Sequence, residues 1–159
     1  CGGGSAFRRE AFLDLGGFDE LFWPFYWEDV DLSLRAWRRG WKILFEPRSV
    51  LTHHISSTIG KRFTPFRVRV WEQKNYWLLH WKNLLGTEVL LNHLAFLGPR
   101  MAIEIGRGNL ASVVGLYHAL KCLPLVRARR AEEKAAIQIK EEEIFAMVDR
   151  GTVRWRAGN

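Results

Sequence analysis

From residue 62 onward the chain has one dominant hydrophobic period. Val70, Trp71, Trp77, Leu78, Trp81 and Leu85 fall on one side of a helix, while Arg67, Arg69, Gln73, Lys74 and Lys82 lie largely elsewhere. This spacing predicts an amphipathic, basic helix. Two further apolar helices are expected at roughly 89–97 and 110–120, separated by Gly98-Pro99 and by residues 106–109. Each is too short or too polar to span a bilayer. Residues 129–149 read as a charged helix with Ile137, Ile144 and Met147 as a narrow apolar stripe, and 152–159 as a loose tail.

The first sixty residues carry shorter signals. Residues 3–7 read as a short strand leaving a Gly-rich bend, and 9–15 as a short helix closed by Gly16-Gly17, where glycine supplies a left-handed cap. Phe18-Asp19-Glu20 opens an aromatic loop over 21–27. Val30, Leu34 and Trp37 recur at helical spacing over 28–39, with Gly40 as the stop, 41–45 as a strand behind it and Pro47 as its end. Residues 50–53 resume an extended course before the Ser/Thr/Gly stretch 56–60, which has the composition of a loop. The expected division is therefore an α/β part, 1–60, followed by a helical and basic part, 61–159.

Composition limits the function classes. With 159 residues, 48% of them hydrophobic and 13% aromatic, the chain buries a sizeable core and is not a disordered tail. Cys1 and Cys122 make no CxxC framework, which suits a reducing compartment and supplies no zinc site. Beginning on Cys-Gly-Gly-Gly without Met, the sequence is expected to be a piece of a longer protein. Its net charge of +7 is unevenly placed. Residues 1–60 hold seven Lys/Arg against eight Asp/Glu, whereas 61–82 hold six against the single Glu72. Such a cluster serves either as a solvated face or as a surface for anionic lipid, nucleic acid or sugar phosphate.

Candidate chemistry gathers at Trp27-Glu28-Asp29-Val30-Asp31-Leu32 and at His53-His54. Asp29 and Asp31 imitate a D-x-D metal motif, but two helical residues apart their side chains point about 200° from each other, so they do not chelate one ion. Glu28 and Asp29 sit in a first helical turn. There carboxylates accept from free backbone N–H groups, an ordinary capping role, and beside Trp23, Phe25, Tyr26 and Trp27 they also suit the holding of a sugar or similar ring. His53 and His54 face opposite ways on an extended segment, so only one joins a given site. His53 ends a predicted strand beside a loop, where α/β folds collect ligands, although a lone histidine also serves structure.

The order of the Gly-rich strand, Arg8-Arg9-Glu10-Ala11-Phe12, Gly16-Gly17-Phe18-Asp19-Glu20, Trp27-Glu28-Asp29-Val30-Asp31-Leu32, Arg35, Gly40-Trp41, Pro47 and His53 resembles the second half of family-2 glycosyltransferases with the GT-A fold. It is most similar to the bacterial branch of rhamnosyl- and galactofuranosyltransferases for surface polysaccharides. The segment from Glu72 through Lys82 to Arg130, with Asn75 and Lys82, resembles the helical extension of these enzymes.

The resemblance implies an α/β chain: a partial, Rossmann-like GT-A domain over 1–60 without its N-terminal nucleotide-binding half and without that half's D-x-D, then a mostly α-helical extension. It implies an inverting transfer of sugar from a nucleotide-sugar donor to a lipid-linked or polysaccharide acceptor, at the cytoplasmic face of the bacterial inner membrane. The isolated piece is expected to be inactive.

Asp29 matches the general base, and Glu28 positions the acceptor or the motif. Trp27, Gly3 and Gly4 are weaker pocket candidates. His53 matches a ligand to a divalent metal, Mn2+ or Mg2+, which neutralises the leaving diphosphate, and Ser57, Thr58 and Lys61 are placed on a diphosphate loop. An anionic membrane surface is an expected partner. Two other readings remain: a basic, aromatic helical module that binds single-stranded nucleic acid, disfavoured because its apolar residues share one face, and a non-catalytic membrane-peripheral scaffold.

Overall fold

The computed structural model describes residues 2–52, 58–139 and 143–144. Their regular elements are seven α-helices, α1 (Arg9–Asp14), α2 (Glu28–Arg38), α3 (Ile59–Arg62), α4 (Pro65–Asn83), α5 (Thr87–Gly106), α6 (Leu110–Lys121) and α7 (Leu123–Ala135), with single 3-10 turns at Gly2–Gly4 and Glu20–Phe22.

The expectation of an α/β, Rossmann-like GT-A part over residues 1–60 is overturned, because no strand occurs among the described residues. Residues 2–4 form a 3-10 turn where a strand was expected, and 41–46 are irregular. The reason is pairing. A strand exists only through the backbone ladder of a neighbouring strand, and no such ladder forms among the described residues. This segment keeps strand-forming side chains but leaves Leu44 85% exposed and Phe45 74% exposed.

Local signals in α1 and α2 act as read. Gly16 and Gly17 take φ of +75° and +68°, and the Gly17 N–H returns to the Phe12 carbonyl at 2.9 Å to close α1. Gly40, at φ +74°, ends α2, where the Trp41 N–H bonds to the Ala36 carbonyl at 3.0 Å. The Gln138 and Ile139 N–H groups then both donate to the Arg38 carbonyl, so the chain leaving α7 covers the end of α2.

The long helix α4 is the axis of the fold. Thr64 caps it by accepting from the Arg67 N–H at 3.3 Å, and Pro65 occupies its first turn, where a missing N–H costs nothing. Trp77, Leu78, Leu79 and Trp81 form the main core with Leu21, Phe22, Met101, Ala119 and Val126. Packing on α4 thus comes from the aromatic loop before α2 and from α5, α6 and α7. The one-sided basic helix expected from the sequence is instead buried on several faces, with Lys74, Asn75, Lys82 and Asn83 inside. Trp77 and Trp81 are core residues rather than displayed stacking platforms.

Helix α6 approaches α4 at Gly115. A Cβ there would stand 2.7 Å from Gln73 Cβ and 2.9 Å from the Val70 carbonyl oxygen. Helix α5 continues through Gly98-Pro99, where a break was expected. Proline removes one backbone bond, to the carbonyl of Ala95, and Ala95 and Pro99 both lie on the exposed side of the helix. The charged helix expected over 129–149 instead begins at Leu123, with Pro124 in its first turn, and ends at Ala135.

Among the described residues no single helix is long and apolar enough to cross a membrane. α6 and α7 together pass a test of length and composition, but they are bent by 66° and bury Ala111, Ser112, Gly115, Ala119, Val126 and Glu133 inside the fold.

Candidate active site

The path to Glu28 and Asp29 begins at Asp19, whose Oδ1 accepts from the Leu21 N–H at 2.9 Å and starts the 3-10 turn that seals Phe22 in the core. Beyond the cis Trp23-Pro24 bond, Tyr26 and Trp27 both adopt left-handed backbone, with φ of +72° and +75°. For non-glycine residues this costs roughly 1–3 kcal/mol each. The surroundings hold it in place. The Asn75 side-chain amide donates to the carbonyls of Phe22, Phe25 (2.7 Å) and Tyr26 (3.1 Å), and Lys74 Nζ donates to the Trp23 carbonyl at 2.6 Å. The Trp27 ring meets Tyr76 edge-on, with centroids 5.8 Å apart. Two adjacent residues of α4 therefore set the angle at which α2 starts.

Glu28 and Asp29 form the first turn of α2, and both are half-buried. The Val30 N–H donates to Asp29 Oδ1 at 2.8 Å, and the Ser33 hydroxyl donates to the Asp29 carbonyl. Burial pushes the Glu28 carboxyl above the ordinary carboxylate range, and the neighbouring Asp29 charge pushes the same way. Glu28 Oε2 is buried with no hydrogen-bond partner among the described residues. A desolvated acid beside a second carboxylate is a suitable place to orient a hydroxyl and accept its proton.

Asp31 has a different fate. It is sealed, and its carboxylate accepts from Arg35 Nε at 2.8 Å, from Lys82 Nζ at 2.7 Å and from Asn83 Nδ2 at 2.9 Å. Lys82 Nζ also reaches Asp19 Oδ2 at 2.8 Å, and that pairing brings the Asp19 carboxyl below its ordinary value even though burial, the largest single influence, acts to raise it. Arg35 donates to the carbonyls of Leu15 and of Gly17 (2.7 Å), and Arg38 donates to the Asn83 side chain (2.6 Å) and its carbonyl. The whole set binds the α1 turn, α2 and α4 together. Asp31 is occupied as a strut, which leaves Glu28 and Asp29 as the carboxylates at the head of α2.

Of the other residues expected at the site, Trp27 precedes Glu28 as described, whereas Gly3 and Gly4 sit in an exposed turn, with Gly4 against the movable end of the Leu51 side chain. Thr58 and Lys61 are exposed at the start and near the end of α3. Their segment reaches the aromatic loop through Phe63, whose ring lies 5.3 Å from that of Phe25. His53 and Ser57 lie outside the described residues. Among the described residues no three His, Cys, Asp or Glu side chains converge to hold a metal ion.

Sequence reasoning singled out Asn75 and Lys82 through the resemblance but passed over Lys74, Arg38 and Asn83. A signal was present. The dipeptide Lys-Asn occurs at 74–75 and again at 82–83, about two helical turns apart and hence near one face, inside an otherwise apolar helix. Polar pairs recurring on a core face mark buried hydrogen-bonding positions.

A helix-start acid pair, a buried Asp-Arg-Lys strut and an aromatic lead-in thus meet at the head of α2. Residues 1–123 match Glycosyl transferase family group 2, and the chain belongs to that family. The matched region crosses residue 60. Two curated relatives, the N-acetylglucosaminyl-diphospho-decaprenol L-rhamnosyltransferases of Mycobacterium tuberculosis strains CDC 1551 / Oshkosh and ATCC 25618 / H37Rv, are each 41% identical over 54 residues. Those residues make up 34% of this chain and 17% of each relative, so the aligned segment spans about a sixth of their length. No solved structure matches.

Proposed function

We propose that this chain carries the acceptor-activating part of an inverting glycosyltransferase that moves a sugar, rhamnose by analogy with the named activity of the relatives, from a nucleotide-sugar donor to a lipid-linked or polysaccharide acceptor. In this reading the acceptor hydroxyl oxygen attacks the anomeric carbon while Asp29 takes its proton. The bond to the nucleoside diphosphate breaks on the opposite face, and the diphosphate leaves with that electron pair. A carboxylate placed beside the hydroxyl accepts its proton as the oxygen becomes acidic in the transition state. Glu28 orients the hydroxyl, and Trp23, exposed on the same loop, offers an apolar face to a sugar ring. A divalent cation, Mn2+ or Mg2+, belongs to this reading only through the resemblance of His53.

The observation that supports the reading most is the division of labour between Asp29 and Asp31. One carboxylate is half-exposed beside a desolvated glutamate, and the other is consumed by Arg35, Lys82 and Asn83. The test is Asp29→Asn in the intact enzyme. Transfer is expected to fall by about 10²- to 10⁴-fold with the fold and nucleotide affinity retained. Turnover at the wild-type rate would remove Asp29 as the base.

A further inference from the structure

Helix α5 wears its residues inside out. Over Val89–Gly106 it contains two charged side chains, and both are spent on the protein. The Arg100 guanidinium lies over the rings of Tyr76 and Trp77, 4.2 and 4.9 Å from their centroids. Glu104 Oε2 accepts from Ser112 at 2.9 Å and from Asn109. The inward stripe is narrow: Leu90, His93, Leu97, Arg100, Met101 and Glu104. Everything facing away is uncharged. Leu91 is 60% exposed, Phe96 72% and Ile105 58%, and Val89, Leu94 and Ile103 are exposed beside them. At 1.5 Å per residue this face runs for about 24 Å from Val89 to Ile105. A helix of a water-facing surface places its charges outward, and a contiguous apolar surface of this length marks an interaction site.

Charge identifies what covers it. The exposed apolar face ends at the turn between α5 and α6, where Arg107 and, from α4, Arg69 line one cleft of about 510 Å³ with Phe66 and Glu104. Lys61, Arg62 and Arg67 are exposed on the neighbouring stretch before and within the first turn of α4. Neither Arg69 nor Arg107 has a carboxylate bonded to it among the described residues, and Glu104, the acid in the cleft, is held by Ser112 and Asn109. Phe66, Ile103 and Leu110 are exposed around this end. An uncharged helical face lying flat, with cations and a phenylalanine at one end, complements the boundary between acyl chains and anionic headgroups. A protein partner would require acids to meet these arginines and an apolar groove to meet α5; a bilayer supplies both at the required depths.

The geometry points to α5 as a bilayer-docking helix, its Leu91–Phe96–Ile103 face buried among acyl chains and the Arg69/Arg107 cleft taking lipid phosphate. This goes beyond the transfer chemistry and does not rest on Asp29, so either reading can fail without the other.

The test is co-sedimentation of the 159-residue chain with vesicles of phosphatidylcholine alone and of phosphatidylcholine with about one-quarter phosphatidylglycerol. Binding to the anionic vesicles is expected, weakening as salt rises. Leu91→Glu with Phe96→Glu should weaken it at least about tenfold, and Arg69→Gln with Arg107→Gln should erase the preference for phosphatidylglycerol. Hydrogen exchange of the unmodified chain should slow over 89–106 when anionic vesicles are added, a readout that needs no substitution. Failure of the wild-type chain to bind, unchanged binding of the glutamate pair, or a concentration-dependent dimer that the same pair dissolves would each overturn the proposal, the last by giving the face to a second copy.

Discussion

Lys82 Nζ lies 2.7 Å from Asp31 Oδ1, with both side chains sealed from solvent, and this pair joins α2 to the central helix. Losing Asp31 leaves Lys82 with Asp19 and the buried Arg35 with the carbonyls of Leu15 and Gly17. Removing one member of a buried, hydrogen-bonded pair costs about 3–5 kcal/mol, because the other is left charged in a medium that solvates it poorly. Asp31→Ala is therefore expected to destabilise the chain by that amount in urea titration, and Asp31→Leu combined with Lys82→Met should recover much of the loss. Asp29→Ala, two residues away, should change stability by under about 1 kcal/mol. Equal destabilisation by the two substitutions would contradict the strut assigned to Asp31.

Gly115 sets the distance between α6 and α4. Alanine is the better helix former by about 1 kcal/mol, yet its methyl would press on the Val70 carbonyl oxygen and on Lys74 N, 3.0 Å away, which are backbone atoms and do not rotate aside. Gly115→Ala should lower stability by about 1–3 kcal/mol through overpacking. Because Lys74 and Asn75 sit at that crossing, the substitution should also loosen the loop over 22–27, read as faster hydrogen exchange of its amides.

The resemblance found the family, and local chemistry found α1, α2 and their glycine caps, because a left-handed cap is decided within a few residues. Strand 41–45 was misread because strand composition is a property of the segment, whereas a ladder is a property of its neighbours. Lys74 and Lys82 were counted in a basic cluster read as either a solvated face or a surface for anions, because charge normally stays outside. Only contact with the Trp23 carbonyl and with Asp19 and Asp31 makes their burial favourable, and those partners lie 51, 63 and 51 residues upstream. The acid pair at 28–29 was legible as a motif. Its separation from Asp31 into exposed and buried roles depended on helix packing.

Glu28 offers a test in which stability and activity move oppositely. Its carboxyl is raised above the usual range by burial first and by Asp29 second. A carboxyl whose native pKa is raised loses stability as pH climbs from its unfolded value, 4.5, through the native one, so the cost is fully present at neutral pH. Glu28→Gln removes that cost. The melting temperature at pH 7 should rise slightly and its dependence on pH above 4.5 should flatten, while transfer by the intact enzyme falls by up to about 100-fold as the acceptor loses its orientation. A variant both less stable and fully active would count against this placement of Glu28.

His80 and His93 stack with ring centroids 4.9 Å apart and planes 7° from parallel, beneath Arg100. Burial depresses both imidazoles below 6.5. The Arg100 charge acts in the same direction on each, His80 adds to it for His93, and a hydrogen bond between His80 Nδ1 and the Tyr76 carbonyl partly opposes it for His80. Protons therefore bind the unfolded chain more readily than the native one. Stability from this pair is complete above 6.5 and declines as pH falls through that value toward the lower native pKa values. In a Glu28→Gln background, which removes the opposite pH dependence of that carboxyl, lowering the pH from about 7.5 to about 5 should reduce the urea midpoint before the carboxylates of Asp19 and Glu104, which are held below 3.8 and 4.5, begin to protonate. Adding His93→Phe keeps an aromatic ring against Trp77 while removing one titrating group and the unpartnered Nε2, so the midpoint should fall less over the same interval; a midpoint that does not move between these pH values in the Glu28→Gln background would exclude the pair as the source of acid sensitivity.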